Sequence, residues 1–320
     1  MKVLIADKFE KPGVEKMKTL GCQVTLDADL QGDSLRDAVR DTKCQILVVR
    51  STKVTADILE AGKQAALELV IRAGAGVDTI DVPAATKHGI RVANCPGKNS
   101  VAVAELAVGL MLALDRRIVD NTVDLRRGVW NKKEYSKALG LKGRTLGVVG
   151  LGRIGYEIAV RAKAFDMKLL YSDVIDQKQY EKELGIRKVS MEQLLKESDV
   201  VTLHVPGGDK TKHLIGGAQL ALMKPTAFLI NCSRGGVVDE KALADAVKNG
   251  KLGGAGLDVY EVEPGANDKE FKDAVVQAGR IYGTHHIGAS TEEAQLAVAE
   301  EAVRIVECTM KGQPVPNTVN

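Results

Sequence analysis

Short apolar runs alternate with amphipathic segments along the first third of the chain. Val3 to Ala6, Val24 to Leu26, Ile46 to Val49, Leu69 to Ile71 and Ile90 to Ala93 read as strands, with helix-period segments such as Pro12 to Leu20 and Ser34 to Val39 between them. Strands that alternate with helices imply a parallel sheet covered on both faces. The pattern resumes with Leu146 to Val149, Lys168 to Ser172, Val200 to His204, Ala227 to Asn231 and Gly254 to Asp258, and Glu240 to Lys248 reads as an intervening helix. Two longer helical stretches are expected. One runs from Asn99 to Arg127, opened by Asn99 or Ser100, and the other from Ser290 to Met310, with Ser290 as cap and Glu292 and Glu293 in its first turn. The expected fold class is α/β, with two doubly wound parallel-sheet domains. Residues 1–98 and 287–320 are assigned to one and 99–286 to the other, so the second is inserted into the first and the chain crosses twice. Ligands are expected between the two.

The centre of the chain carries the most specific signal. The apolar run Leu146 to Val149 enters Gly150-x-Gly152-x-x-Gly155 and leaves as a helix-period segment, Ile154 to Phe165. That strand–turn–helix context is what a dinucleotide fingerprint requires. Gly150 permits the tight turn, Gly152 lets the backbone approach a pyrophosphate, and Gly155 lets helix and strand pack closely. The helix N-terminus offers unpaired N–H groups to an anion. A second run, Lys168 to Ser172, ends in Asp173, eighteen residues past Gly155, where a carboxylate would accept from ribose hydroxyls. Val174, Ile175 and Asp176 follow, with no cation to hold a 2′-phosphate, so NAD is expected in preference to NADP.

Composition narrows the class. The chain has 320 residues, 45% hydrophobic and 27% charged, and a net charge of +3 that argues against nucleic acid or a membrane surface as partner. Its five cysteines are widely spaced and lack a C-x-x-C, so neither a disulfide framework nor a metal site is expected, and a reducing cytoplasm fits. The most apolar stretch, Val101 to Leu114, is too short for a bilayer and carries Glu105. The N-terminal strand meets Asp7 too early to be a secretory signal.

Three strand-end side chains are candidates for chemistry: Arg234, Glu263 and His286. In an open α/β sheet, ligands bind outside the carboxyl ends of the strands. Hydride transfer between a 2-hydroxy acid and nicotinamide needs an anion-binding fork and a group that takes the hydroxyl proton. A carboxylate beside the imidazole would raise its pKa. His285 and His286 point to opposite faces if extended, which argues against joint chelation. Arg50 and Arg72 follow the third and fourth strands, and the amides of Gly74 to Val77 read as an anion nest. The two arginines, with Lys132 or Lys133 from a partner chain, are candidates for holding a phosphate.

The order of these motifs resembles the D-isomer-specific 2-hydroxyacid dehydrogenases over nearly the whole chain. The resemblance rests on Gly74-Ala-Gly-Val-Asp78, Asn99-Ser100, Ala104-Glu105, Gly150-x-Gly-x-x-Gly155, Asn231-x-Ser-Arg-Gly-Gly236, Asp258-Val-Tyr-x-x-Glu-Pro264 and His286-x-Gly-Ala-Ser290. It implies a flavodoxin-like substrate domain and an inserted Rossmann NAD-binding domain. It further implies that His286 is the acid/base, Glu263 its partner and Arg234 a clamp. NAD contacts are implied for Ala75, Gly150, Gly152, Arg153, Ile154, Gly155, Asp173, His204, Val205, Pro206, Cys232, Asp258, Gly288 and Ala289. Substrate contacts are implied for Arg50, Arg72, Gly74, Ala75, Gly76, Arg234 and His286. The expected reaction is oxidation of 3-phosphoglycerate by a homodimer, with the Trp130 to Tyr135 segment near the neighbouring subunit. Reduction of glyoxylate, hydroxypyruvate or lactate-type keto acids is one alternative, and a dinucleotide-sensing, corepressor-like binding protein without turnover is the other. Ala75 stands where a larger residue is common, His285 replaces a frequent proline, and Gly207-Gly208 replaces a bulkier run. The ending at Asn320 matches a two-domain core, and no regulatory domain is expected.

Overall fold

The computed structural model describes residues 1–264 and 270–320. The chain forms two compact units, Met1–Asn99 with Ser290–Asn320, and Ser100–Ala289. The first unit holds β1 (Lys2–Ile5), β2 (Gln23–Leu26), β3 (Ile46–Val49), β4 (Leu69–Arg72) and β5 (Arg91–Asn94), in the order β2-β1-β3-β4-β5. All of its strand pairs are parallel. β3 is buried along its whole length because both faces of the sheet are covered, which is why it reads as an unbroken apolar run. Helix Glu292–Met310 returns to this unit and packs Ala302, Val303, Ile305 and Val306 against residues of β1, β3 and β4.

The second unit is a seven-stranded parallel sheet. Its strands are β6 (Thr145–Val149), β7 (Lys168–Ser172), β8 (Arg187–Lys188), β9 (Val200–Leu203), β10 (Phe228–Asn231), β11 (Gly254–Leu257) and β12 (Ile281–Gly283), in the order β12-β11-β10-β9-β6-β7-β8. The order reverses beside β6, so the loops leaving β6 and β9 diverge there and open a crevice at the carboxyl edge. Helices Ser100–Arg116 and Arg153–Ala164 cover one face with Ala104, Ala107, Met111, Ile158 and Ala162, and Leu194, Leu220 and Leu243 belong to the core on the other.

Two sequence expectations need correction. The helix from Asn99 does not run unbroken to Arg127. It stops at Arg116, Arg117 turns into the left-handed region (φ 51°), and a second helix runs Ile118–Arg126. The first helix is lined with buried residues, whereas the second buries none, so only the first is held against the sheet. Arg117 is fixed in the turn by Asp120 at 3.1 Å and Glu134 at 2.5 Å, with its guanidinium over the Tyr135 ring. The last helix is capped by Thr291, not Ser290: the Thr291 hydroxyl accepts from the Ala294 amide at 3.2 Å, one residue further on.

A buried ion pair ties the end of helix Ser100–Arg116 to the entry of β6. Arg144 Nη1 meets Asp115 Oδ1 at 3.1 Å with side-chain exposures of 11% and 3%, Asp115 Oδ2 accepts from the Gly140 amide, and Arg144 lies over the Phe228 ring. Removing one partner of such a pair leaves the other charge buried and unpaired. Asp115→Ala is therefore expected to destabilise the protein by about 3 kcal/mol, read as a lower urea midpoint. An unchanged midpoint would show that the pair contributes nothing net.

Candidate active site

The turn after β6 is shaped by close approach. Gly150 has φ +87°, and a Cβ there would lie 2.6 Å from the His204 carbonyl oxygen, so the peptide at the end of β9 seats directly against it. Gly155 abuts the Gly150 carbonyl in the same way, at 2.3 Å from the Cβ it lacks. Gly152 differs: a Cβ there would meet no protein atom within 4 Å, so its lack of a side chain serves no internal packing. It caps helix Arg153–Ala164 without a side-chain hydrogen bond, and the first turn carries no acid. That amide-rich helix end, with no acid in its first turn, suits a pyrophosphate.

Asp173 stands at the carboxyl end of β7, where its Oδ2 accepts from the Leu151 amide at 2.7 Å and Oδ1 from the Ile175 amide at 3.0 Å. These bonds orient the carboxylate beside the glycine turn and leave it acceptor capacity for ribose hydroxyls. Val174 and Ile175 next to it are 99% and 62% exposed, giving an apolar surface where an adenine would rest. The residues fit NAD.

The other predicted side chains of this unit leave from β10, β11 and β12. His286 Nδ1 lies 2.8 Å from Glu263 Oε2, and Glu263 Oε1 accepts from the Tyr260 amide at 3.2 Å. An ionised carboxylate can only accept, so Nδ1 carries the proton and Nε2 is the nitrogen that titrates. The Glu263 hydrogen bond holds the His286 pKa above its ordinary 6.5, against burial, with the charges of Glu263 and Asp258 adding to the rise and Arg234 opposing it. Burial works to raise Glu263 in turn, but His286, the Tyr260 amide and Arg234 bring it below the usual carboxylate range. The Arg234 charge thus acts in the same direction on both groups. Arg234 Nη1 donates to the Ser233 carbonyl at 2.7 Å, while Asn231 Nδ2 donates to the Arg234 carbonyl at 2.9 Å and shapes the loop.

His286 itself sits in the left-handed region (φ 53°), uncommon for a residue with a Cβ. Asp258, 2% exposed, holds that conformation: Oδ1 accepts from the Ile287 amide and the Thr284 hydroxyl, and Oδ2 from the Gly288 amide. The residue expected to contact NAD thus has both carboxylate oxygens engaged with the histidine's own loop. Tyr260 adds a bond from its hydroxyl to the Thr284 carbonyl at 3.1 Å.

His204 follows β9, with Nε2 2.8 Å from the Thr202 hydroxyl, and burial pulls its pKa down to about 3, so it stays neutral. Val205 and Pro206 continue from it, and the Val205 side chain touches Gly150. Burial pushes the Cys232 thiol up, which removes it as a nucleophile at neutral pH. Arg153 and Ile154 open the helix after the glycine turn, and Gly288 and Ala289 close the loop after His286.

The remaining predicted residues lie in the first unit. Arg72 folds over the start of the nest, its guanidinium occupying the place where a Gly74 side chain would stand. Asn94 Nδ2 donates to the Ala75 carbonyl at 2.6 Å and Cys95 N to the Gly74 carbonyl at 2.9 Å, which fixes the course of Gly74, Ala75 and Gly76. Arg50 lies 4.0 Å from Glu10, so it is partly countered. Its loop is held by Asp7, which the sequence reading did not single out. Asp7 accepts from the amides of Arg50, Ser51 and Thr52 and from the Ser51 hydroxyl. Its place at the end of β1 was the available signal. Among the described residues no cluster of three or more His, Cys, Asp or Glu is placed to hold a metal ion.

Residues 108–288 match the D-isomer specific 2-hydroxyacid dehydrogenase, NAD binding domain. The chain is 42% identical to a D-3-phosphoglycerate dehydrogenase of Methanocaldococcus jannaschii, an alignment covering all of this chain and 59% of that protein. It is 46% identical to a hydroxypyruvate reductase of Thermotoga maritima over 86% of this chain and 87% of that one. It superposes on D-lactate dehydrogenase from Aquifex aeolicus complexed with NAD and lactic acid, with a TM-score of 0.85, 29% identity and coverage of 100% and 99%. The chain belongs to the D-isomer-specific 2-hydroxyacid dehydrogenases, and its second unit contains the family's NAD-binding domain. It spans about three-fifths of the length of the phosphoglycerate dehydrogenases it matches.

The Glu263–His286 pair has a direct test. Glu263→Gln removes the hydrogen-bonded carboxylate and leaves burial and Arg234, both of which lower the histidine pKa. The His286 midpoint, followed by NMR, is expected above 6.5 in the native protein and to fall in the variant. Equal midpoints would dissolve the pair.

Proposed function

We propose that this protein interconverts a 2-hydroxy acid and a 2-keto acid with NAD, and that its substrate is 3-phosphoglycerate. The observation that carries this reading is the Glu263–His286 hydrogen bond with the Arg234 charge beside it, at the edge where the NAD-binding turn opens. When bound, NAD supplies the hydride acceptor at its nicotinamide ring. In the oxidative direction His286 Nε2 takes the C2 hydroxyl proton as the C2 hydride leaves and the carbonyl forms. Glu263 stabilises the imidazolium that results, and Arg234 binds the carboxylate or the developing carbonyl oxygen. In reverse, the protonated His286 donates to the carbonyl oxygen, so reduction of the keto acid declines as pH rises through the His286 midpoint.

Arg72, the nest from Gly74 to Val77 and, more weakly, Arg50 are assigned to the anionic groups of the substrate. The amides of the nest suit a carboxylate and the guanidinium a phosphate. Identity to several D-3-phosphoglycerate dehydrogenases along the whole of this chain, though over only about three-fifths of theirs, supports the phosphorylated substrate. A second reading, hydroxypyruvate or glyoxylate reduction, is favoured by the 46% and 42% identities to reductases matched over most of their own length, and by the Glu10 carboxylate near Arg50. NADH oxidation assayed against 3-phosphohydroxypyruvate, hydroxypyruvate, glyoxylate and pyruvate separates them. The expected outcome is a kcat/KM at least about tenfold higher for the phosphorylated acid, and a preference for a plain keto acid would replace the first reading by the second. His286→Ala is expected to lower turnover by about 10³-fold while NADH still binds.

A homodimer is part of the proposal. Ile118, Val119, Leu125, Val129, Trp130 and Leu139 are 44–80% exposed on the segment around helix Ile118–Arg126, which buries nothing of its own. Apolar exposure concentrated in this way suits a subunit contact. Light scattering is expected to give twice the chain mass of 34.2 kDa, and the double variant Leu125→Lys, Trp130→Lys to give that mass itself. Free cysteines throughout support a reducing compartment.

A further inference from the structure

Glu240 is a carboxyl group that the proposed chemistry leaves unused. It is 8% exposed and opens helix Glu240–Lys248. Its Oε1 accepts from the Glu261 amide at 2.7 Å, and its own amide donates to Glu261 Oε1 at 3.1 Å. The two residues satisfy each other's backbone donors as a capping box does, but across twenty-one residues of chain. Asp239, the cap residue, satisfies the Ala242 amide.

This bond grips the turn that presents Glu263. The other side of the same peptide is pressed against Gly235, where a Cβ would fall 1.8 Å from the Tyr260 carbonyl oxygen and 2.5 Å from the Glu261 nitrogen. The Tyr260–Glu261 peptide is therefore clamped between Gly235, next to Arg234, and Glu240. Tyr260 then donates its amide to Glu263, two bonds of chain away from the clamp. His213, from the loop after β9, adds a third contact, Nε2 to Glu261 Oε1 at 3.0 Å.

We propose that Glu240 is a positioning residue for hydride transfer: with Glu261 it fixes the turn that holds Glu263 on His286. The inference rests on the acid/base reading of His286 given above. Burial, with Asp273, Glu261 and Glu263 facing it, pushes the Glu240 carboxyl up to about 7, although the Glu261 amide bond opposes the rise. A neutral acid keeps the accepting oxygen that the clamp needs, and glutamine reproduces it.

The test follows the His286 imidazole by NMR in the full chain, its signal identified by its loss in His286→Ala. Glu240→Ala and Glu261→Ala are each expected to lower the His286 midpoint by about one pH unit and kcat by about tenfold, with the NADH Kd changed less than about threefold. Glu240→Gln and Glu261→Gln, which keep the accepting oxygens, are expected to stay within about twofold of native kcat and at the native midpoint. A native midpoint in both alanine variants overturns the proposal, as does a glutamine variant as impaired as its alanine counterpart. Should Glu240→Ala fail to fold, Glu240→Leu, which fills the same space without an accepting oxygen, takes its place. Lack of turnover by the native protein on every keto acid would sink the reaction assigned above and leave the titration result standing.

Discussion

Seven strands running in one direction place every outgoing loop of the second unit at one edge of the sheet. Arg234, Glu263 and His286 are separated by more than twenty residues each, yet they leave adjacent strands β10, β11 and β12 at the same end. The glycine turn leaves β6 at that end too. Because the order reverses beside β6, the dinucleotide turn and the acid/base loops are set on either side of one opening. Parallel direction is thus the constraint on which the site depends. It holds because both faces of the sheet are buried, and β9, β10 and β11 have no exposed residue.

Backbone contact does much of the fine positioning. Gly150 against His204, and Gly235 against Tyr260 and Glu261, are approaches that no residue with a Cβ could make. They let loops from different strands touch through their peptides, which are stiffer than side chains. Carboxylates complete the arrangement. Asp258 holds the amides after His286, Asp7 holds the amides from Arg50 to Thr52, and Asp173 holds the Leu151 amide. Each accepts from N–H groups that have no strand or helix partner, so each loop course is set by a buried or half-buried acid.

Local signatures were legible in the sequence. The dinucleotide turn could be read because strand, glycine spacing, helix and acid are contiguous, and the long strands because central parallel strands are apolar on both faces. The break at Arg117 was hidden because residues 118–126 keep a helical composition; what ends the first helix is the loss of a sheet to lie on and the pull of Asp120 and Glu134. The cap at Thr291 was missed by one position because Ser290 is an equally good capping type. The roles of Glu240 and Glu261 in holding loops were illegible for a different reason. Each bonds to a backbone amide brought near only by packing, and no spacing along the chain records that.

The first unit is assembled from two stretches of chain, residues 1–99 and 290–320, with the second unit between them. Residues of β5 pair with the final segment through Ala93 and Thr318, and the apolar side of the sheet is closed by Ala302, Val303, Ile305 and Val306. During synthesis residues 1–99 therefore emerge with one side of their sheet only partly covered, by Val14 and Met17. The intervening unit, contiguous from Ser100 to Ala289, has all its own strands by then and can collapse first. Translation order thus runs opposite to completion order: residues 1–99 precede the second unit out of the ribosome, mature after it, and have apolar surface to shelter from aggregation in between.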